Sequence, residues 1–311
     1  MNVIRLNNNN YKEIFKYNSK NTIITIGAFD GIHLAHKAII DRMKEYKNIN
    51  SDTQIAIMTF DPHPDYILKK RDVSGYITPT TIKALMFEKM GIDYLYLIDF
   101  NEIIANMNYL DFYDKFLSPF KFFVIGYDFK FGKNAQGDAL FLKEKKKDTI
   151  IIDKITIDNE KISSSLIREL LNKGEIKKVN EILGHPYELF GKVQKGSQIG
   201  STLGFPTANI DLYDDYMNIK SGVYKTFVNI CGDDKTYIGI CNIGHNPTLN
   251  YVKKKRLEVH LIDYDGILYD KDITIKLIDY LREEIKFNSK EELINQLKID
   301  RKRALLWKYW L

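Results

Sequence analysis

The chain has 311 residues, which is long enough for two domains with separate hydrophobic cores. Its 46 Lys and Arg residues against 41 Asp and Glu residues give a net charge of +5, which suits anionic substrates but is too small to indicate nucleic acid as a partner. The two cysteines, Cys231 and Cys241, have no redox or metal-binding spacing and favour a reducing compartment. With no signal-peptide pattern and no apolar run that spans a bilayer, the sequence predicts a cytoplasmic protein without a membrane partner. A monomer or weak homo-oligomer is a separate expectation.

The first predicted unit is a strand, a glycine turn and a helix. The apolar run 23–26 predicts a buried parallel strand, which ends at Gly27 and leads into a helix over residues 35–47. The unpaired N–H groups and the dipole of such a helix N-terminus favour phosphate binding. His33 and His36 share a face of the first turn, so both imidazoles can reach one polyphosphate. Alone, the pair is a weak signal, because most such pairs are surface or metal-binding accidents. His63 is a third candidate for a zinc site, but no Cys or Glu lies at ligand spacing.

The full string around this turn is more specific than its histidines. Gly27-x-Phe29-Asp30-Gly-x-His33-x-x-His36 lacks the patterns of the P-loop and of dinucleotide-binding folds. It resembles the signature of nucleotidyltransferases, which pass a nucleoside monophosphate from a triphosphate to a phosphate acceptor. Those enzymes usually have glycine between the two histidines, whereas this chain has Ala35. Because a methyl group is a small intrusion, we expect weakened rather than abolished phosphate binding.

The rest of the first half alternates strands with helical patterns, which predicts a doubly wound parallel sheet with ligands at the carboxyl ends of its strands. Polar residues follow two of these strands. Asp61 and His63 follow the second strand and are expected beside the histidine pair, unless they only form a rigid turn. Asp128 and Phe129 follow the fourth strand, where aromatic residues form either a slot for a planar ring or ordinary core. The predicted strands are residues 55–60, 94–98, 122–125 and 149–152, with a helix at 82–90.

A serine-rich segment then opens a helix that extends to about residue 172. Ser164, Ser165 and Arg168 lie in its first turns. Hydroxyl groups beside one arginine suit a leaving pyrophosphate, although serines at a helix N-terminus are also common caps.

The second half changes to short strands broken by glycines, which predicts a small antiparallel β-barrel. A helix over residues 176–183 ends at Gly184, which marks a linker and sets the expected domains at 1–184 and 185–311. The predicted strands are residues 187–194, 222–230, 236–243, 257–262 and 273–281, followed by a helix at 290–307.

The most informative segment of this half is a glycine-rich string that ends in Pro206-Thr207-Ala-Asn209. Thr207 and Asn209 point to one side of an extended segment, and their oxygens suit Mg²⁺ bound with a nucleotide. The glycines alone would favour a barrel corner. Glu258 lies on an apolar strand, where a carboxylate is either functional or part of a buried ion pair. The basic run 253–256 is interpreted as a solvated loop.

Taken in order, these motifs resemble the bacterial bifunctional riboflavin kinase/FMN adenylyltransferases, or FAD synthetases, over about residues 20–305. The resemblance implies a Rossmann-like nucleotidyltransferase domain followed by a β-barrel kinase domain with a C-terminal helix. It implies that Glu258 is the general base on riboflavin and that Thr207 and Asn209 hold Mg²⁺ with ATP. The other residues that it implies fall into two groups. ATP phosphates contact Gly27, Phe29, Asp30, His33, His36, Ser164, Ser165, Arg168, Gly196, Gly200, Gly204 and Pro206, and flavin or substrate contacts Asp61, His63, Asp128, Phe129, Arg282 and Phe287.

The expected function is therefore phosphorylation of riboflavin to FMN and adenylylation of FMN to FAD, with ATP as co-substrate. Three alternatives stay open. The first, suggested by Ala35, is a kinase whose adenylyltransferase site has decayed. The others are a flavin-responsive binding protein, which would need neither a base nor a metal site, and a cytidylyltransferase-like enzyme, which would leave the second half unexplained.

Overall fold

The structure, a computed structural model, describes residues 1–17, 21–68, 75–194, 204–245 and 255–306. Its contacts divide the chain into two compact units, Met1–Ser164 and Ser165–Leu311. Residues 165–184 thus group with the second unit, and the sequence-based boundary at residue 184 stays a prediction. Within the described ranges, no helix is both long and apolar enough to cross a membrane.

The first unit is built on a six-stranded parallel sheet in the order β1-β4-β3-β2-β5-β8. The chain moves from β2 to β3 on one side and places β5 on the other side, so the strand order reverses between β2 and β5. Open sheets of this kind bind ligands at such a reversal, beyond the carboxyl ends of the strands. The elements are β1 (Asn2–Leu6), β2 (Thr22–Ile26), α1 (Leu34–Ile49), β3 (Gln54–Asp61), α2 (Pro64–Leu68), α3 (Thr80–Lys89), β4 (Tyr94–Asp99), α4 (Glu102–Ala105), α5 (Tyr109–Phe112), β5 (Phe122–Gly126), β6 (Lys130–Phe131), β7 (Gly137–Asp138), α6 (Ala139–Lys145), β8 (Thr149–Ile152), β9 (Thr156–Ile157) and β10 (Glu160–Lys161).

The central strands are buried on both faces because hydrophobic clusters cover the sheet on each side. Along β2, Ile24 belongs to one cluster and Ile23 to the other, as expected when successive side chains point to opposite faces. This arrangement confirms the predicted doubly wound sheet, and the predicted strands and helices agree with the structure to within a few residues.

One strand of this sheet was not expected from the sequence. β1 pairs in parallel with β4 at the edge of the sheet and buries only Ile4 and Leu6. A five-residue strand with one buried face and a charged Arg5 carries no apolar run, so its hydrophobic pattern is too weak to predict it.

The second unit is a closed antiparallel barrel in the order β11-β12-β15-β14-β13-β16, which confirms the predicted barrel. α8 packs against β11 and β16. The predicted final helix agrees with α9, although Trp307 lies outside the described residues. The elements are α7 (Ser164–Lys173), α8 (Ile176–Leu183), β11 (Tyr187–Gln194), β12 (Ala208–Leu212), β13 (Gly222–Ile230), β14 (Thr236–His245), β15 (Lys255–Leu261), β16 (Asp272–Arg282) and α9 (Lys290–Leu305).

Candidate active sites

The turn between β2 and α1 lies where the strand order of the parallel sheet reverses. The Gly27 N–H donates to the Met58 carbonyl on neighbouring β3 at 3.1 Å, which fixes the start of the turn. Phe29 and Ile32 have φ angles of 50° and 44°, in the left-handed region. Side chains cost about 1–2 kcal/mol each there, so the turn is strained. Strain of this kind persists only where surrounding contacts fix the backbone, and it is concentrated at functional sites.

The predicted histidine pair is assembled at this turn. His33 is the N-cap residue of α1, and its ring stacks on that of His36 with 3.7 Å between centroids and 13° between planes. The ring of Phe29 packs against His36 at 4.7 Å. Within the part of the chain that the structure describes, the Nδ1 atoms of both histidines are buried without a hydrogen-bond partner. Two adjacent polar rings with unused nitrogens at a helix N-terminus suit an anionic ligand.

Burial keeps both histidines neutral at pH 7. It lowers the pKa of His33 from 6.5 to about 4, against the opposing effect of the Asp30 and Asp128 charges. Burial also lowers the pKa of His36 well below the ordinary value, together with the charges of His33 and Lys83. The pair therefore offers hydrogen bonds rather than positive charge.

The lowered pKa of His33 makes stability depend on pH. Between pH 6.5 and pH 4 the unfolded chain binds a proton that the folded chain does not, so stability falls as the pH falls through this range. For His33 alone the loss amounts to about 3 kcal/mol. We expect His33→Gln to reduce the difference in the free energy of unfolding between pH 7 and pH 4.5, measured in urea. An unchanged difference would contradict the burial of a neutral His33.

Two further predicted residues meet at the same turn. Asp30 is fully buried, and its Oδ1 accepts a hydrogen bond from the Thr78 N–H at 3.0 Å. The Ser164 hydroxyl donates to the Asp30 carbonyl at 2.7 Å, so the serine-rich segment reaches the turn through the first residue of α7. Ser165 and Arg168 follow on α7, and their contact with ATP phosphates stays a prediction.

The residues after β3 and β5 make polar contacts of their own. Asp61 accepts hydrogen bonds from Arg5 Nη1 at 2.9 Å and from the Thr80 hydroxyl at 3.1 Å. The Nδ1 of His63 accepts the Asp65 N–H at 3.1 Å. Asp128 forms an ion pair with Lys161 Nζ, and its charge raises the pKa of His33 against the larger effect of burial.

A cavity of about 550 Å³ opens beyond the ends of β3, β4 and β5. Phe131 is buried core and also lines this cavity, while Phe129 stacks on it with 5.4 Å between ring centroids. Phe131 is thus both core and cavity wall, whereas Phe129 does not line the cavity, and a slot for a planar ring stays a prediction. Gly132 has a φ of 72°, and a Cβ there would lie 2.5 Å from the Tyr109 backbone, so the wall requires glycine. Other residues that line the cavity are Phe60, Pro64, Phe100, Phe112, Lys130 and Lys133.

The second site lies in the barrel unit, at a cavity of about 280 Å³ between the outer face of the strands and α9. Thr207, Glu258, Arg282 and Phe287 all line it, although they come from separate motifs. Asn209 on β12 is paired in register with Glu258 on β15, so their side chains lie on the same face of the sheet. Asn242 on β14 is the partner of Glu258 on the other side and also lines the cavity.

Glu258 is held by an ion pair whose partner, Arg256, was not expected from the sequence. The Nε and Nη2 atoms of Arg256 donate to Glu258 Oε1 at 2.9 and 2.6 Å. Arg256 belongs to β15, so its interpretation as part of a solvated loop is wrong. The two residues are two apart on a strand and therefore share a face, alternating with the buried Leu257 and Val259. The ion pair considered as an alternative thus exists, but it lines the cavity instead of lying in the core.

Arg282 is fixed by a carboxylate from α9. Its Nε and Nη2 donate to Asp300, with distances of 2.8–3.1 Å, and Asp300 is fully buried. Gln296 Nε2 also donates to Asp300 at 2.9 Å. The arginine is therefore oriented before any ligand binds, and Asp300 was not anticipated because its partner lies 18 residues away.

The glycine-rich string is described only in part. Gly204 has a φ of 79°, and the Pro206 carbonyl lies 2.8 Å from Nδ1 of His260, which lines the cavity. Gly196 and Gly200 lie outside the described residues, so their predicted contact with ATP stays a prediction.

Comparison with known proteins agrees with this division into two sites. Residues 15–166 match the family model described as FAD synthetase, and residues 183–307 match the one described as riboflavin kinase. Two relatives are described as bifunctional riboflavin kinase/FMN adenylyltransferase. The protein of Listeria monocytogenes is 35% identical over 90% of this chain and 90% of its own length, and that of Bacillus subtilis is 34% identical over 94% of both chains. The protein of that description from Escherichia coli K12 is 31% identical over 89% of this chain and 90% of its own.

A solved structure covers nearly the whole chain. It is a Streptococcus pneumoniae protein described as a macrolide-efflux protein, with a TM-score of 0.88, 28% identity, and coverage of 98% of this chain and 99% of that one. The resemblance inferred from the motifs is confirmed over both halves by the curated relatives and the family models. The chain belongs to the family of bifunctional riboflavin kinase/FMN adenylyltransferases.

Proposed function

We propose that the chain phosphorylates riboflavin to FMN in its barrel and adenylylates FMN to FAD at the edge of its parallel sheet. One observation supports this most strongly. Thr207, Glu258, Arg282 and Phe287, which were assigned from separate motifs, line a single cavity. A shared location is what one reaction site requires and what four unrelated structural residues would not produce.

In the kinase step, Glu258 takes the proton of the riboflavin 5′-hydroxyl as that oxygen attacks the γ-phosphate of ATP. The new bond joins the ribityl oxygen to phosphorus, the bond to the β-phosphate oxygen breaks, and ADP leaves. A positioned carboxylate suits this role because the proton must leave as the bond forms. Arg282, oriented by Asp300, and Phe287 contact the flavin.

The donor set beside Glu258 fits a magnesium ion. Asn209 lies on β12 and is paired in register with Glu258, and Thr207 precedes this strand and lines the cavity. Hydroxyl and amide oxygens are hard ligands of the kind that Mg²⁺ prefers. Mg²⁺, when bound with ATP, offsets the negative charge of the phosphates. Within the described ranges, no group of three or more His, Cys, Asp and Glu residues is arranged to hold a metal ion. The proposed ligands are the neutral oxygens of Thr207 and Asn209, together with the nucleotide.

In the adenylyl transfer step, the FMN phosphate attacks the α-phosphate of a second ATP and pyrophosphate leaves. That nucleophile is ionised near neutral pH, so the site needs alignment and charge stabilisation rather than a protein base. The neutral histidine pair and the α1 N-terminus bind the phosphates, with the turn residues Gly27, Phe29 and Asp30 holding the backbone. Ser164, Ser165 and Arg168 hold the leaving pyrophosphate. Gly204 and Pro206 do not take part in this step, because they belong to the ATP site of the kinase.

The 550 Å³ cavity is the place for the flavin of FMN. Its volume lies in the range of small-molecule sites, and aromatic side chains form much of its wall. Lys130 and Lys133 add positive charge at its rim. Asp61, His63, Asp128 and Phe129 follow strands that end near this cavity but do not line it, and only Phe129 stacks on a lining residue, Phe131. Their contact with the flavin is part of the proposal.

The test is a time course with the purified chain, riboflavin, excess ATP and Mg²⁺, in which the flavins are separated by chromatography. We expect FMN to appear first and FAD to follow, and chelation of the metal to stop both. FMN that accumulates without FAD, even when FMN is supplied, would contradict the adenylyltransferase and point to the Ala35 substitution. Unchanged riboflavin would contradict the kinase.

The remaining expectations belong to this proposal. ATP and riboflavin chemistry suits a cytoplasmic enzyme, and small molecules are its proposed ligands, without nucleic acid or a membrane. The chain is proposed to act as a monomer or a weak homo-oligomer.

A further inference from the structure

Lys83, in the opening turn of α3, is a charged residue that the mechanism above does not use. Its side chain is completely buried. Its ammonium donates a hydrogen bond to the Ala28 carbonyl at 3.1 Å, inside the turn between β2 and α1. Lysine is almost never fully buried unless it is paired or functional. Burial lowers the pKa of Lys83, while the charges of Asp30 and Asp61 oppose this effect.

The carbonyl that Lys83 binds lies in the strained part of the turn. The Thr59 hydroxyl donates to the same Ala28 oxygen at 3.1 Å, so two side chains from neighbouring elements hold it. The next residue, Phe29, has left-handed backbone angles and packs its ring on His36. Since a strained backbone needs contacts that fix it, these two hydrogen bonds are among the contacts that hold the turn of Phe29 and His36 in place.

We propose that Lys83 is a positioning residue for adenylyl transfer, which holds the Ala28 carbonyl and thereby the orientation of the turn that faces the nucleotide phosphates. The inference depends on the proposed adenylyltransferase function. Lys83 is not assigned to the phosphates themselves, because its side chain has no exposed surface and its ammonium already binds the turn.

The charge of Lys83 gives the proposal a second readout. The ammonium is one of the causes that lower the pKa of His36, after burial and the charge of His33. Removing it is therefore expected to raise the pKa of His36 towards the ordinary value. The titratable and charged groups that act on Lys83 and on the histidine pair are Asp30, Asp61, Asp128, Lys161 and the ring of Tyr76.

The experiment compares Lys83→Met with Lys83→Arg and with Lys89→Met, an exposed lysine on the same helix. FAD formation is measured from supplied FMN, so that the kinase step is not needed. For Lys83→Met we expect kcat to fall about 100-fold, since displacing an aligned reacting group by about 1 Å has an effect of that size. Lys83→Arg, which keeps the cation, is expected to recover part of the rate, and Lys89→Met to leave it unchanged.

Two measurements separate positioning from a loss of folding. Isoleucine methyl NMR spectra report whether the core of the first unit is intact, and the ring signals of His36 are titrated in the same samples. A folded Lys83→Met with unchanged kcat, or with an unchanged His36 pKa, would overturn the proposal.

A second variant covers the case in which Lys83→Met does not fold. Thr59→Val removes the other donor to the Ala28 carbonyl without changing any charge, and we expect a lower kcat with an unchanged His36 pKa. An unchanged kcat in Thr59→Val would overturn the proposal. If the unmodified chain forms no FAD from supplied FMN, the proposed function fails, and the histidine titration still tests the placement of Lys83.

Discussion

Glu258→Gln is expected to lower the rate of riboflavin phosphorylation by about 1000-fold, the middle of the range for loss of a general base. The amide keeps the size of the side chain and its place in the cavity, but it cannot take the proton of the ribityl hydroxyl. Conversion of supplied FMN to FAD is expected to be unchanged, because Glu258 belongs to the barrel unit and the histidine pair to the sheet unit. The measurement is chromatography of the flavins formed from riboflavin and, separately, from FMN.

A control for this variant is available on the same unit. Glu283 lies at the end of β16 with a side chain that is 77% exposed, and its carboxylate is 3.3 Å from Lys220 Nζ. Glu283→Gln removes a negative charge without touching the cavity and is expected to leave both reactions unchanged. Equal loss of both activities in Glu258→Gln would contradict two separate sites, and full kinase activity would remove Glu258 from the role of base.

Replacing His33 or His36 by Ala is expected to lower FAD formation from FMN by about 100- to 1000-fold, the effect of removing one donor that stabilises charge in the transition state. Phosphorylation of riboflavin should continue at the original rate. Because the two rings stack at 3.7 Å, we expect them to act as a unit. The double variant should then lose about as much as the more damaging single variant, since the effects of such residues are not additive.

His185→Ala serves as the matched control, because His185 follows α8, away from the histidine pair along the chain, and its Nδ1 lies 2.8 Å from the Pro186 carbonyl. Thermal unfolding of each variant shows whether the first unit still folds. Folded His33→Ala and His36→Ala proteins with full FAD synthesis would end the phosphate role of the pair. Strictly additive losses would contradict joint action while leaving each histidine in the site.

The sequence predicts the parts of these sites that are encoded locally. The histidine spacing, the strand on which Glu258 lies and the alternation of Thr207 and Asn209 follow from short periodic patterns. Such patterns depend on neighbouring residues alone, so they can be recognised before the fold is known.

The sequence does not predict which distant side chains complete the sites. Lys83 is one of 46 basic residues, and nothing in its surroundings along the chain marks it as buried. Arg256 lies in a basic run that is typical of a surface loop, yet it belongs to β15, where residues two apart share a face, and it therefore contacts Glu258. Asp300 lies on a largely polar helix and meets Arg282 only when α9 packs on the barrel. These three contacts arise from tertiary packing, which local patterns do not encode.

Closure of the barrel has a consequence for how the chain behaves in concentrated solution. Each of its six strands has a hydrogen-bonded neighbour on both sides, so the described barrel presents no free strand edge to which another copy can add by backbone pairing. β15, the strand of Glu258, lies between β12 and β14 and cannot fray as an edge strand does. The same ring of hydrogen bonds thus keeps the strand of Glu258 from strand exchange and the barrel from edge-to-edge aggregation, whereas the open parallel sheet of the first unit keeps β1 and β8 as edge strands.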